Sequence, residues 1–551
     1  MGSAPVLAQH LYEPKSEAHV WRRFRPVITR QLHCGILLSA RGIENWAASL
    51  LALLNADPAI AVDAVFVLDG ADKKENDRGG WLFQLLQAWS NRSAAPFARQ
   101  SIVLPSGLSE VALRLQSGSL APEDAARLAG CRLDLLLSLE SQPLPVDCSS
   151  LARQGVWSIC CGDPSRPRSH PPYWNEAWNK EAVSTAVIRQ HLPGGTRNLA
   201  SCQVATHPGI RFTENAVAPL ELAGQALLRR LMDLLEDERS LTALPPQADQ
   251  TNDRRPPGSL AAAAFLRGQI LRSASLRLEA RGRKQQWRVA LRDRSSRFGS
   301  QSSRFSADGF RWLPAPQGCG YADPFVVEHQ NRHWLFVEEI SPTGKGRLAC
   351  QEIRANGEVG EASIILEKPY HLSYPHVFSH QGDYFMVPES CGNETVDLYR
   401  ATRFPGEWTL EQTLCPGVAA VDTTVLPLEG VWYFFTTSAW LGNETFLFWS
   451  DRLDGSWHYH PANPICSDAR RARSAGALFY SGADLIRPAQ DCSVCYGYAV
   501  VLNRVKRISK TEYEEEPIET ILPTCQPGLL ATHTLNSNAA YEVMDGVRYV
   551  R

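Results

Sequence analysis

The pattern of apolar and polar positions changes character once along the chain. From His33 to about residue 213, apolar runs of strand length alternate with stretches of helical period: CGILLSA, IENWAASLLALLN, AVDAVFVLDG, GWLFQLLQAW, EDAARLAG, LDLLLSLE and GVWSI follow in turn. Strands that are apolar throughout, separated by helices, predict a parallel sheet covered on both faces. Residues 31–213 are therefore expected to form an α/β domain behind an N-terminal extension, 1–30. Residues 214–285 read as a connector. A helical stripe of Leu227, Leu228, Leu231, Leu234 and Leu235 precedes the proline-rich polar stretch ALPPQADQTNDRRPPGS, and a second helix, AAAAFLRGQILRSASLRL, follows it. Beyond Gly318 short alternating strands broken by Gly, Pro and Asn replace the helical signal, which predicts an all-β domain.

The β half also repeats. An apolar strand, a turn and a strand rich in aromatics recur in ADPFVVEHQNRHWLFVEE, SYPHVFSHQGDYFMVPES and VDTTVLPLEGVWYFFTTS, with less regular copies at AGALFYSGADLIRPAQD and THTLNSNAAYEVMDG. Five copies in roughly 230 residues give about 46 residues each, the length of a four-stranded propeller blade. Residues 286–551 are expected to form a five-bladed β-propeller, with QQWRVALRD as the strand contributed from its N-terminal side. In a propeller the first strand of each blade starts near the axis and the second returns beside it, so starts of first strands and ends of second strands share a rim. Strand starts supply Asp323, Tyr374 with His376, Asp422, Arg473 and His533. Strand ends supply Glu338 with Glu339, Glu389, Thr437, and Gln490 with Asp491.

Carboxyl groups gathered on one concave rim are what glycosidic-bond chemistry uses, because one protonates the leaving oxygen while another activates water or attacks carbon. Neighbouring carboxylates also raise one another's pKa, so one side-chain type can act as acid and as base. Asp323 is the candidate base, Glu389 the candidate acid, and Asp422 the residue that tunes them or orients sugar hydroxyls. Glu339, Tyr374, His376, Arg473, Asp491 and His533 are the candidate substrate-binding residues. Asp and Glu at strand ends also accept backbone hydrogen bonds between blades, so a funnel that only binds a glycan or lipid-linked sugar is the alternative.

Composition narrows these readings. Hydrophobic residues at 44% and charged residues at 21% are those of a globular protein, and a net charge of -2 supplies no field for nucleic acid. The fourteen cysteines lack the spacing of a disulfide framework, and the C-x-x-C of Cys492 and Cys495 has no second pair. No metal or cofactor is expected. With no signal-like head and no run of about eighteen apolar residues, the expected location is cytoplasmic. Arg281, Arg283, Lys284, Arg288, Arg292, Arg294 and Arg297 make residues 281–297 strongly basic. Its ordinary reading is a solvated surface, and its functional reading is peripheral contact with anionic lipid or phosphorylated substrate. The oligomeric state leaves no mark in the sequence.

The ADPF repeat start resembles the five-bladed glycoside hydrolases of the arabinanase, xylosidase and invertase groups. That resemblance implies a base or nucleophile at Asp323 and a second acidic position at Asp422. Those families take their acid from a later blade, whereas no glutamate lies between Glu444 and Glu512 here, so Glu389 is this chain's own candidate. A longer resemblance runs through YADPF, HLSYPHVF, MVPES, FPGEW, LDGSWHYHPANPI, and RPAQDC followed by YG. These are similar to the domain at the N-terminus of plant glucosamine inositolphosphorylceramide transferases and to domains in bacterial polysaccharide gene clusters. A carbohydrate or glycolipid context is implied. The glycosyltransferase domain that follows in the plant proteins has no counterpart among these 551 residues.

Residues 31–213 resemble the formyltransferase fold of methionyl-tRNA and sugar-nucleotide formyltransferases, with GVWSICCGD at the strand that carries the family's Asn-x-His motif. Formyl transfer uses the Asn and His to stabilise the oxyanion and move protons, and a later Asp to orient the His. Ser158 falls on the Asn, Cys160 on the His and Pro193 on the Asp. The resemblance thus implies an altered site on a scaffold or binding module, with sugar-nucleotide formylation as the third functional reading. Cys160 and Cys161, with His170 near in sequence, read as packed thiols, since a thiolate nucleophile needs a positioned base.

Overall fold

The computed structural model describes residues 22–550 except for several short stretches, the longest being 70–78, 242–252 and 295–304. The chain divides into two compact units, one ending at Ala274 and the other running from Ser275 onward. His170, Arg281 and Arg297 lie outside the described residues. Among the described residues no helix is long and apolar enough to cross a membrane.

The first unit is built on an eight-stranded sheet. Its central strand, Leu32–Ser39, pairs in parallel with Ile60–Asp69 on one side and Leu135–Ser138 on the other. The parallel set continues to Glu110–Gln116 at one end and Val156–Cys161 at the other. Leu32–Ser39, Ile60–Asp69 and Leu135–Ser138 are buried along most of their length, which is why they carry continuous apolar runs. The sheet is mixed, however, where the apolar runs predicted a parallel one. Val183–Leu192 and Gly195–Ala205 form an antiparallel hairpin on the Val156–Cys161 edge, turned at Pro193-Gly194. The leucine stripe forms the helix Val217–Glu236, and the second connector stripe forms Ser259–Glu279.

The second unit is a five-bladed propeller. Blade 1 comprises Gly320–His329, Arg332–Ile340, Gly346–Ile353 and Ser363–Leu366, and blade 2 comprises Ser373–His380, Asp383–Ser390, Thr395–Arg403 and Glu407–Pro416. Ala420–Leu428, Val431–Ser438, Glu444–Ser450 and His458–Tyr459 make blade 3, and Phe479–Ser481, Asp484–Asp491, Ala499–Ile508 and Tyr513–Ile521 make blade 4. Blade 5 is shared by the two ends of the unit: Tyr541–Val550 takes Leu535–Ser537 on one edge and Lys284–Asp293 on the other. That pairing runs unbroken from Lys284↔Val550 to Asp293↔Tyr541. It ties the two ends of the unit into one blade and so closes the ring, leaving only the short outer edge of each blade.

Local sequence sets the inner hairpins. Blades 1, 2 and 3 turn through Gln330-Asn331, Gln381-Gly382 and Glu429-Gly430, with positive φ at both central residues of each. Such two-residue turns match the twist of the flanking strands. Lys284, Arg288 and Arg292 fall on one face of the strand Lys284–Asp293, and they pass from exposed at its start to buried at its end. Arg292 is buried and donates to Glu542 and to the Ser306 and Asp308 carbonyls, so it belongs to the blade interior and not to a basic outer surface. Arg294 likewise donates to the Asn538 carbonyl.

Candidate functional site

The first strands of blades 1, 2 and 3 share a defect at the same place. The ladder slips between Ala322 and Phe325, between Ser373 and His376, and between Val421 and Thr424. The residue that starts each slip, Asp323, Tyr374 or Asp422, lies in the left-handed region at φ 49°, 46° and 50°. Bulges of this kind re-aim a side chain. Immediately before each slip, Ala322 pairs with Glu338, Ser373 with Glu389 and Val421 with Thr437, so both sets of repeat positions meet on one rim.

Asp422 is the most heavily bonded of the three candidate carboxyl groups. Arg473 Nε donates to its Oδ2 at 2.5 Å and Arg473 Nη2 to its Oδ1 at 3.4 Å, while Gln490 Nε2 donates to Oδ2 at 2.9 Å. Arg473 Nη2 also reaches Glu389 Oε2 at 3.5 Å. Burial, then the adjacent Asp422 charge and a hydrogen bond to Asp422, push the Glu389 carboxyl up to about 8, with Arg473 and His371 opposing. Glu389 therefore holds its proton at neutral pH.

Asp323 sits in a second, linked cluster. Its Oδ2 accepts from the Tyr374 backbone N–H at 3.2 Å and its Oδ1 from the Thr534 hydroxyl at 2.7 Å. Burial raises its carboxyl to about 7, His533 acting against the shift and Asp422, Glu338 and Asp545 adding to it. His533 Nδ1 contacts Asp545 Oδ2 at 2.6 Å, and although burial works against the imidazolium, Asp545 and Asp323 push its pKa up to about 9. Asp545 also accepts from the Asp323, His533 and Thr534 backbone N–H groups. Asp323, His533 and Asp545 present metal-ligand atoms within 4.8 Å of one another, yet these atoms already satisfy one another and the backbone.

The mouth of this cluster is aromatic and cationic. Trp287 stacks on His533 with centroids 4.0 Å apart, and Tyr496 meets the same ring edge-on at 5.6 Å. Arg473 lies over the Tyr496 ring. His371 Nε2 contacts Glu338 Oε1 at 3.1 Å, and Glu338 outweighs the effect of burial to raise the imidazole to about 9.

The structure thus draws Asp323, Glu389, Asp422, Arg473 and His533 into one network, and the other candidates elsewhere. Tyr374 is fully buried, its hydroxyl bonded to Thr424 Oγ1 and accepting from the Gly476 N–H, so only its backbone serves the site. His376 packs against Phe325 and Phe378 with Nε2 on the Val425 carbonyl, and burial holds it neutral, near 4. Glu339 is taken by Arg347, which donates to it through Nε and Nη2. Its neighbour Glu338 points to the site instead, because successive strand residues face opposite ways. Asp491 accepts from the Ser493 N–H in a turn, and Gln490 beside it reaches Asp422. Sequence reasoning missed Asp545, His371, Tyr496 and the role of Trp287. Asp545 was findable, since VMDG ends the fifth repeat where VEE and PES end the first two.

Residues 317–536 match the family model described as glucosamine inositolphosphorylceramide transferase 1, N-terminal. A protein of that name from Oryza sativa subsp. japonica is 31% identical over 284 residues, covering 47% of this chain and 38% of its own length. The Arabidopsis thaliana protein of the same name is 31% identical over 216 residues, covering 38% of this chain and 28% of its own. The chain therefore spans well under half the length of these curated relatives. Among solved structures, an exo-β-1,3-galactanase from Clostridium thermocellum aligns with 38% of this chain and 53% of its own at 15% identity and TM-score 0.32. The β-xylosidase RS223 aligns with 42% of this chain and 92% of its own at 12% identity and TM-score 0.32. Likenesses this distant carry no argument about the site.

Proposed function

We propose that the propeller binds a glycosyl group at its rim and acts on the glycosidic bond, with Glu389 as proton donor and Asp323 as proton acceptor. One observation carries the reading: Glu389 and Asp323 are buried carboxyl groups on the same rim, Asp422 beside Glu389 is tied to Arg473 Nε at 2.5 Å, and burial raises both Glu389 and Asp323 above the ordinary carboxyl range. A proton donor must be protonated at working pH and an acceptor ionisable there, and neighbouring carboxyl groups with different environments divide those roles. Trp287 and Tyr496 supply faces on which a sugar ring can stack. The match of residues 317–536 to a region of proteins named as glucosamine inositolphosphorylceramide transferases supports a carbohydrate or glycolipid ligand. The α/β unit is read as a formyltransferase-like scaffold on its GVWSICCGD strand.

The test is turnover of oligosaccharides, nucleotide sugars and inositol glycolipids by the purified protein. Glu389→Gln should lower turnover by roughly 10²-fold or more while sugar binding persists, the usual scale of general acid catalysis. Undiminished turnover in that variant refutes the assignment. A second reading, a glycan-binding module without turnover, is favoured by the occupation of both Asp323 oxygens by Tyr374 and Thr534. It predicts saturable binding and no bond cleavage in the unaltered protein.

A further inference from the structure

The α/β unit carries a cluster of reactive side chains that the propeller reading does not use. Strand Val156–Cys161 lies between Leu135–Ser138, parallel to it, and Val183–Leu192, antiparallel to it. The register sets Ser158 opposite Ser138 on one side and opposite Arg189 on the other, so these side chains share a face. Cys160 and His191 lie two residues along from Ser158 and Arg189 on that same face. Ser158 Oγ is 2.9 Å from His191 Nε2 and 3.7 Å from Cys160 Sγ. The imidazole that the sequence lacks at position 160 is thus supplied by the neighbouring strand.

We propose that Ser158, His191 and Arg189 form a nucleophile, base and oxyanion-stabilising group that accept small carboxylic esters. Three observations beyond the short contact support this. Ser158, Cys160 and His191 are half-buried, which leaves them reachable by a small ligand. Arg189 is buried and its Nε donates to Asn198 Oδ1 at 3.1 Å, which fixes a guanidinium on the face that carries the hydroxyl. The position is also the one where open α/β sheets take ligands. The sheet grows from Leu32–Ser39 towards Ile60–Asp69 on one side and then returns to Leu135–Ser138 on the other, and Ser138 is the carboxyl end of the strand at that switch. The Asp147 carboxylate is held below its usual range chiefly by the Ser149 N–H, and His191 adds to that effect.

In the acylation step Ser158 Oγ bonds to the ester carbonyl carbon and its proton passes to His191 Nε2. The alkoxide then leaves, taking that proton as the carbon–oxygen bond breaks. Water attacks the acyl-serine, delivers a proton through His191 to Ser158 Oγ and releases the carboxylic acid. Two polar side chains that merely satisfy each other across a sheet would occupy the same positions without reacting.

Treatment of the full-length protein with a fluorophosphonate, read by intact mass and peptide mapping, separates these cases. Phosphonylation of Ser158 with loss of fluoride is expected, together with hydrolysis of p-nitrophenyl acetate above the buffer rate. Both should disappear in Ser158→Ala and fall at least tenfold in His191→Gln. If His191→Gln does not fold, the pH dependence of labelling replaces it, and the rate should rise as an imidazole loses its proton. An unlabelled wild-type protein, labelling that persists in Ser158→Ala, or a rate independent of pH would each overturn the proposal.

Discussion

Replacing Arg473 by Met keeps the length of the side chain and removes its charge, and the cost can be worked from the contacts it leaves. Asp422 would lose the 2.5 Å Nε and 3.4 Å Nη2 hydrogen bonds and keep the one that Gln490 Nε2 donates at 2.9 Å. It is only 2% exposed, so water cannot take over. Breaking a buried ion pair from one side costs about 3–5 kcal/mol because it strands the remaining charge. For a domain of this size that corresponds to a fall in Tm on the order of 6–20 °C in the propeller transition. Calorimetry on the full-length protein at pH 7.5, with Arg473→Met, Asp422→Asn and the double variant, measures both the loss and the coupling. The double variant should recover much of the loss, since no charge is then left unpaired. A fall below about 1 kcal/mol, the scale of an exposed pair, would refute the picture of a buried network.

Two further outcomes follow from the same network. His533 and His371 are held near 9 against an ordinary 6.5, and Glu389 near 8 against 4.5, so each keeps its proton more tightly folded than unfolded. Their stabilisation is complete below the unfolded values and is lost as pH rises through the folded ones, so the Tm of the propeller should fall between pH 6.5 and 9. A flat profile over that window in calorimetric scans would contradict the assignments. Tyr374→Phe removes a hydroxyl that accepts from Gly476 and bonds Thr424, and should destabilise the propeller by about 1–3 kcal/mol in denaturant titration.

The repeat phase was legible in the sequence because strand alternation and turn residues are local. The same phase placed Asp323, Tyr374 and Asp422 at equivalent strand starts. What each side chain does there depends on the blade opposite, which no local pattern reports. Tyr374 turns into the core between blades, and the choice between Glu338 and Glu339, or between Gln490 and Asp491, is one of strand facing that shifts by a single residue. His371 and Tyr496 lie outside the second strands, where the repeat no longer constrains position. In the first unit, His191 reaches Ser158 only through the register of an antiparallel edge hairpin, and the apolar runs of the central strands gave no sign of that hairpin.

The three left-handed residues explain why the site and the closure of the ring are one problem. A non-glycine residue at φ near 50° costs about 1 kcal/mol or more, and persists only where its surroundings hold it. Asp323 of blade 1 is held by Tyr374 of blade 2 and by Thr534 at the start of blade 5. Tyr374 is held by Thr424 of blade 3 and by Gly476 beside blade 4. Asp422 of blade 3 is held by Arg473 and Gln490 of blade 4. Every strained start is therefore secured from other blades, and Gly476, at φ 133°, meets its own positive φ without a side chain and gives its N–H to Tyr374. Loosening any one blade would release the bulge on its neighbour and with it the aim of a carboxyl group. Substitutions far from the rim that weaken blade 5, where Lys284–Asp293 pairs with Tyr541–Val550, should accordingly disturb Asp323 before they disturb Asp422.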